Sequence, residues 1–253
     1  MATSNVLVIT DSRGKGLEEL LFKKYKHTPE INVTVRTYGG ATLDSMKRKL
    51  DRLRRKYDLT IVIAGICNFT KRELVKNRKL LSYNNGNDKV EHVLKLIKEI
   101  VHKDCIIATI APASLRKYAE TVNLSGAIPQ QEEEQKNLLK DLETVNKEIK
   151  QTCADREAQF LNLAKTVFQT AKKKRGKTTR TVQQFKANRL PDGIHLSQDL
   201  RKNWARNIAG AINRHIGYNP DKDYCPKKKV NSEEEESQSD SGNFKRAGTR
   251  SRK

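Results

Sequence analysis

The chain alternates short runs of apolar and β-branched residues with longer segments whose apolar residues recur every three or four positions. The short runs have the length and composition of buried strands, and the longer segments have the spacing of amphipathic helices. The predicted strands are Val6–Ile9, Val33–Val35, Leu59–Ala64, Ile106–Ala111 and Phe160–Leu163. The predicted helices are Leu17–Tyr25, Leu43–Tyr57, Val90–Val101, Leu138–Ile149 and, last, a segment of about Leu200–Ile216.

This alternation predicts an α/β fold: a doubly wound, mainly parallel five-stranded sheet with helices on both faces, in three layers. A chain of 253 residues is long enough for one such domain. We expect the domain to occupy residues 1–218, with a basic insertion at about 165–190. Beyond Tyr218 the apolar periodicity stops and charged and serine-rich stretches follow, so residues 219–253 are predicted to form a disordered tail.

Several polar or glycine-containing turns come directly after predicted strands. Ser12 follows the first, Gly40 the second and the segment Gly65–Asn68 the third. In doubly wound sheets, ligands bind beyond the carboxyl ends of the strands. His195 lies about 180 residues after Ser12, just before the last helix, whose start Ser197 and Asp199 indicate. The turns and the His195 loop are therefore expected to meet at one edge of the sheet.

Four motifs in this order resemble those of the SGNH (GDSL-like) hydrolase family. They are Thr10-Asp11-Ser12, Gly39-Gly40-Ala41-Thr42, Gly65-Ile66-Cys67-Asn68 and Asp192-Gly193-Ile194-His195. The resemblance covers roughly residues 5–216 and implies a flavodoxin-like three-layer fold. It also implies a serine esterase in which Ser12 is the nucleophile, His195 the base and Asp192 the carboxylate that orients it.

The resemblance further implies an oxyanion hole formed by the backbone N–H groups of Ser12 and Gly40, with Asn68 as a third donor. Such acyl chemistry requires no metal or organic cofactor. Two positions depart from the family pattern, since Thr10 replaces a glycine and Cys67 stands where the family has the donor asparagine. Each motif also has a purely structural reading: Asp11 and Ser12 as helix caps, Gly39-Gly40 and Asn68 as turn residues, and Asp192–His195 as a structural loop.

The charge of the chain points to a second kind of function. Lys and Arg number 51 against 30 Asp and Glu, a net charge of +21, which favours association with polyanions. From Lys165 to Leu190 there are nine cations and no acid. The candidate nucleic-acid contacts in that segment are Lys172, Lys173, Lys174, Arg175, Lys177 and Arg180. They support binding of nucleic acid without sequence preference, or of an anionic surface.

The alternative to an esterase is thus a catalytically weak SGNH-fold module that binds nucleic acid or a protein partner through its basic surface. Related esterase-like domains occur in some retrotransposons, and the basic composition is similar to theirs. The four cysteines have neither zinc nor disulfide spacing, and no stretch is long and apolar enough to span a membrane. These features predict an intracellular protein, and Pro226–Val230 resembles a nuclear-import signal.

Overall fold

In the computed structural model, a five-stranded parallel sheet forms the centre of the protein. The structure describes residues 3–53, 56–84, 88–175 and 178–219, without the side chains of 125 and 172–182. The strands are β1 (Ser4–Thr10), β2 (Ile31–Thr37), β3 (Leu59–Ile63), β4 (Thr70–Val75), β5 (Arg78–Tyr83), β6 (Cys105–Ala108), β7 (Phe160–Leu161), β8 (Phe168–Arg175) and β9 (Thr178–Phe185). The helices are α1 (Leu17–Tyr25), α2 (Leu43–Leu53), α3 (Ile66–Phe69), α4 (Asp88–Ile100), α5 (Leu115–Thr121), α6 (Ile128–Asp155) and α7 (Gln198–Ile216).

The order of the strands in the sheet is β2-β1-β3-β6-β7, and every pair is parallel. The chain moves outward from β1 to β2, returns to β3 on the other side of β1, and then continues in one direction. The connections therefore change direction between β1 and β3. In open α/β sheets this switch point opens a crevice at the carboxyl ends of the two strands.

Each face of the sheet is covered by its own helices. In β1, Val6 and Val8 belong to the core shared with α1 and α7, and Trp204 of α7 lies in that core. Leu7 and Ile9 belong to the core shared with α2, α4 and α6. Alternation along a strand sends successive side chains to opposite faces, so a strand buried on both sides is apolar at every position. The predicted α/β class and five-stranded sheet are confirmed.

Several features of the fold were not predicted from the sequence. The helix α6 begins at Ile128, ten residues before the predicted start at Leu138. The apolar periodicity did not reveal its first turns, because they are rich in Gln and Glu and lack an apolar stripe. The antiparallel hairpin β4–β5 and the short helix α5 lie in segments that were taken as connections. The hairpin matters for the site, since it follows the third motif directly.

The basic segment forms an antiparallel hairpin, β8–β9, whose register runs from the pair Phe168–Phe185 to the pair Arg175–Thr178. Of the six candidate nucleic-acid contacts, Lys177 lies outside the described residues, as do the side chains of the other five. The described residues up to Tyr218 belong to one compact unit. The predicted tail lies outside the described residues, apart from Asn219.

Candidate active site

Ser12 begins a short 3-10 turn directly after β1. The preceding residue, Asp11, caps this turn, with its Oδ1 accepting a hydrogen bond of 3.0 Å from the backbone N–H of Arg13. Ser12 is half-buried and lines a cavity of about 240 Å³. The other lining residues are Gly40, Ile66, Cys67, Thr70, Lys71, Arg72, Leu81, Ala113 and Ile194. The first three sequence motifs and the residue before His195 thus meet at this cavity.

A buried ion pair fixes the backbone turn of Ser12. The Arg13 guanidinium contacts the Asp11 carboxylate at 2.9 and 3.2 Å, and both side chains are almost fully buried. Arg13 also donates a hydrogen bond of 2.5 Å to the carbonyl of Ala111, beyond the end of β6, and lies 5.9 Å from the ring centre of Trp204 in α7. A buried charge is stable only when it is paired and hydrogen-bonded, so these contacts hold the turn in one position.

The departure at Thr10 is accommodated by Gly14. The Thr10 side chain is fully buried, and a Cβ atom added to Gly14 would lie only 2.0 Å from its Cγ2 atom. The turn after β1 therefore has a glycine four residues after the position where the family has one. The threonine side chain fills the space that a glycine would leave at position 10. The end of β1 and the turn that follows it can approach each other this closely because residue 14 is a glycine.

The fourth motif forms a tight loop that orients an imidazole. Oδ1 of Asp192 accepts hydrogen bonds from the backbone N–H groups of Ile194, at 2.9 Å, and His195, at 2.7 Å. Oδ2 lies 2.5 Å from Nδ1 of His195. Burial raises the pKa of Asp192, but the hydrogen bonds from the His195 ring and the two backbone groups outweigh it, and the pKa lies below the ordinary value. An ionised Asp192 favours the tautomer with the proton on Nδ1 and the lone pair on Nε2.

Gly193 allows this loop to approach α5. Its φ angle is +83°, and a Cβ atom there would lie 2.4 Å from the carbonyl oxygen of Ser114. The carbonyl of Gly193 accepts a hydrogen bond of 2.7 Å from the Ser114 backbone. No side chain fits between these two backbones, which explains a glycine at this place in the motif. Within the described chain, His195 is hydrogen-bonded through its ring to Asp192 and not to Ser12.

The backbone N–H groups of Ser12 and Gly40, two residues that line the cavity, have no acceptor among the described residues. Gly40 adopts a left-handed conformation, with φ +69°, at the turn after β2. A Cβ atom at this position would meet nothing within 4 Å, so the glycine is required by the backbone conformation and not by crowding. The two predicted backbone donors therefore lie on the wall of the same cavity, with their hydrogen-bonding capacity free.

The third motif places Cys67 at the cavity and turns Asn68 away from it. Oδ1 of Asn68 accepts a hydrogen bond of 2.9 Å from the backbone N–H of Leu43, and its Nδ2 donates one of 3.2 Å to Asp44. Asn68 thus caps the start of α2, where four N–H groups lack helical partners. Since its amide is bound to α2 in this conformation, we leave Asn68 out of the proposed oxyanion hole. Burial, followed by the charge of Asp11, raises the pKa of the Cys67 thiol.

The sequence did not indicate two parts of this site. Arg13 was not singled out, because its contacts to Ala111 and Trp204 join segments that are far apart in sequence. The hairpin β4–β5 supplies Thr70, Lys71, Arg72 and Leu81 to the cavity wall, and its sequence from Thr70 to Tyr83 lacks the alternation of polar and apolar residues that marks a strand.

Several solved structures are similar to the chain over most of its length. The lipase/acylhydrolase from Enterococcus faecalis has a TM-score of 0.54 at 17% identity, over 84% of this chain and 96% of that one. An acetyl xylan esterase has a TM-score of 0.52 at 12% identity, over 82% of this chain and 99% of that one. No protein-family model and no curated protein sequence matches the chain.

At these identities the similarity shows the fold, and it confirms at that level the resemblance to SGNH hydrolases that the motifs indicate. A relation to retrotransposon domains gains no support from the two structures. No helix in the described part of the chain is long and apolar enough to cross a membrane. The location in the cell and the substrate remain predictions.

Proposed function

We propose that this protein is a serine esterase of the SGNH type that cleaves a carboxylic ester through Ser12, His195 and Asp192. The observation that carries the proposal is the 2.5 Å contact between Asp192 and His195, on a loop whose Ile194 lines the same cavity as Ser12. An isolated Asp-x-x-His loop has a structural explanation. An acyl-transfer site also requires a serine and free backbone N–H groups near the histidine, and this loop brings Ile194 to the cavity that Ser12 and Gly40 line.

In the proposed reaction, Oγ of Ser12 attacks the ester carbonyl carbon while Nε2 of His195 accepts the hydroxyl proton. The negative charge that forms on the carbonyl oxygen is stabilised by the N–H groups of Ser12 and Gly40. Asp192 stabilises the imidazolium. His195 then returns the proton to the departing alcohol, which leaves an acyl group on Ser12. A water molecule, activated by His195 in the same way, releases the acid and restores the serine.

The apo geometry is compatible with this role although Ser12 and His195 are not hydrogen-bonded to each other. Catalytic hydrogen bonds are often long before substrate binds and shorten in the complex. His195 is partly exposed, with 43% of its side chain accessible, so its ring is open to solvent and to an incoming ligand. The hydroxyl of Ser12 makes no hydrogen bond to another group of the described chain, so no such group competes with His195 for its proton.

The first prediction tests the nucleophile by labelling with a fluorophosphonate probe, which reacts with activated serines. We expect the wild type to be labelled and to hydrolyse a short-chain aryl ester, and Ser12→Ala to do neither. Ser45→Ala is the matched control, since Ser45 lies on α2 and its hydroxyl bonds only to the backbone of Thr42.

The control should be labelled like the wild type. A folded wild-type protein that is not labelled and has no esterase activity would contradict the proposal. It would favour instead the binding module that the Cys67 departure and the net charge of +21 support. Labelling that persists in Ser12→Ala would place the reactive serine elsewhere.

A further inference from the structure

A second concavity, larger than the cavity of Ser12, lies apart from the candidate active site. It has a volume of about 720 Å³ and runs between α6 on one side and the base of the β8–β9 hairpin on the other. We call it the α6 groove. It is lined by Pro112, Leu139, Leu142, Glu143, Asn146, Lys147, Lys150, Asn162, Ala164, Lys165, Phe168 and Gln183. The loop after β6 separates the two concavities, since Pro112 faces the groove and Ala113 lines the cavity of Ser12.

The groove carries an excess of positive charge with no counter-charge bound to it. Lys147 and Lys150 come from successive turns of α6, and Lys165 comes from the opposite wall. All three are exposed, and none of their ammonium groups is in an ion pair or hydrogen bond within the described residues. Glu143 is the single acid among the lining residues. The hairpin that forms the second wall belongs to the segment 165–190, which has nine cations and no acid.

The polar groups of the floor are already satisfied, and what remains is apolar. Asn146 forms two hydrogen bonds with the backbone of Ile110, at 2.6 and 3.0 Å, so its amide is held against the loop after β6. Phe168 is half-buried, lies 5.8 Å from the ring of Phe185 at a tilt of 57°, and presents part of its own ring to the groove. An apolar floor with one aromatic ring, under a rim of free lysines, is suited to a ligand with flat apolar parts along an anionic backbone.

We propose that the α6 groove binds single-stranded nucleic acid, with phosphates held by Lys147, Lys150 and Lys165 and an unpaired base against Phe168. Basic grooves that follow the backbone, with aromatic rings under the bases, are how proteins bind single strands without sequence preference. A duplex hides its base faces within the stack, so the aromatic contact selects the single strand. The site is independent of the proposed esterase reaction, because none of its residues belongs to the catalytic machinery.

The test measures binding of a fluorescein-labelled 20-nucleotide oligouridylate to the full chain by fluorescence anisotropy, at several NaCl concentrations. The groove variant is Lys147→Gln/Lys150→Gln/Lys165→Gln. We expect its Kd to rise at least about tenfold, and the slope of log K against log salt to fall by about two, because each single-strand phosphate contact contributes about 0.7 to that slope.

The matched control is Lys24→Gln/Lys26→Gln/Lys95→Gln, which removes the same charge from exposed lysines around α1 and α4. The control should lose little affinity. Equal losses in the two triple variants would overturn the groove as the site, because the binding would then depend only on net charge. Thermal unfolding followed by circular dichroism at 222 nm serves as a check that both variants fold.

The aromatic contact is tested by Phe168→Leu, which keeps an apolar side chain and removes the ring. We expect at least about fivefold weaker binding with an unchanged salt slope, in line with the usual strength of stacking on one base. Two results would overturn the proposal: equal affinity for a duplex of the same length, or groove-dependent binding of phosphatidylglycerol vesicles with none of the oligonucleotide. The second result would assign the groove to a membrane surface.

Discussion

Arg13 links the turn that carries Ser12 to three parts of the chain: Asp11 beside it, Ala111 after β6 and Trp204 in α7. Breaking a buried ion pair by removing one partner typically costs about 3–5 kcal/mol, since an uncompensated charge remains. The position of the proposed nucleophile therefore depends on a residue that takes no part in the proposed reaction. At the scale of single residues, the site is held by a side chain that the motif does not contain.

Cys67 is the residue at which the candidate site departs furthest from the SGNH motif pattern. The motif predicted that a thiol would stand at the place of the asparagine donor, and the structure puts this thiol on the cavity wall. Its raised pKa keeps it neutral at pH 7. A neutral thiol is a weak hydrogen-bond donor, so the proposed hole relies on two backbone groups.

We predict that Cys67→Asn increases the turnover of a short-chain aryl ester by about tenfold or more, since one oxyanion donor is worth about 100- to 1000-fold where it has been removed. Cys67→Ser, which lacks the reach of an amide, is the control and should change turnover far less. A folded Cys67→Asn protein with unchanged or lower turnover would show that the carbonyl oxygen lies elsewhere.

Elements differ in how much of them the sequence could predict. Apolar runs mark the five strands of the sheet in the sequence. The start of the last helix is marked by Ser197, whose Oγ accepts a hydrogen bond from the backbone N–H of Leu200. The hairpin β4–β5 and the early part of α6 are polar and owe their structure to tertiary contacts. Similarly, the motifs identified Ser12 and His195, but sequence alone gave no direction for the side chain of Asn68, because that depends on how α2 approaches α3.

Asn68 connects two elements, because it accepts from Leu43 and donates to Asp44 at the start of α2. We predict that Asn68→Ala destabilises the protein by about 1–2 kcal/mol, as the loss of a helix cap does. We expect it to leave the turnover per folded molecule almost unchanged. Thermal unfolding and ester hydrolysis, measured on the same preparation, distinguish the two effects.

Asn84→Ala is the control for this variant, because it removes an amide that donates only to the backbone carbonyl of Asn68. A loss of about 100-fold or more in turnover from folded Asn68→Ala would restore Asn68 to the oxyanion hole. In that case the side chain would have to rotate away from α2 when substrate binds.

At the scale of the whole molecule, the net charge of +21 means that repulsion between cations opposes the attraction within ion pairs. The described surface has ion pairs, such as Lys23–Glu19 and Arg116–Glu132, but most are exposed and contribute little. Cations without partners outnumber them. A strong excess of one charge keeps a protein soluble but destabilises its compact state through self-repulsion.

We predict that raising NaCl from about 20 mM to about 200 mM increases the Tm by a few degrees, because the Debye length falls to less than 10 Å. Circular dichroism at 222 nm follows the transition. Sucrose of equal osmolality is the control, since it does not screen charge. A Tm that is constant or falls with NaCl would mean that attractive pairs, and not repulsion, dominate the surface.

The contact of Arg13 with Trp204 also bears on how the protein is made. Ser12 and Asp11 leave the ribosome first, whereas Ala111 follows about 100 residues later and Trp204 about 190 residues later. His195 is synthesised at that late stage too. A nascent chain therefore has its serine long before it has the base or the anchor of the turn. The proposed pair of Ser12 and His195 can therefore form only when α7, which carries Trp204, is about to be synthesised or has been synthesised.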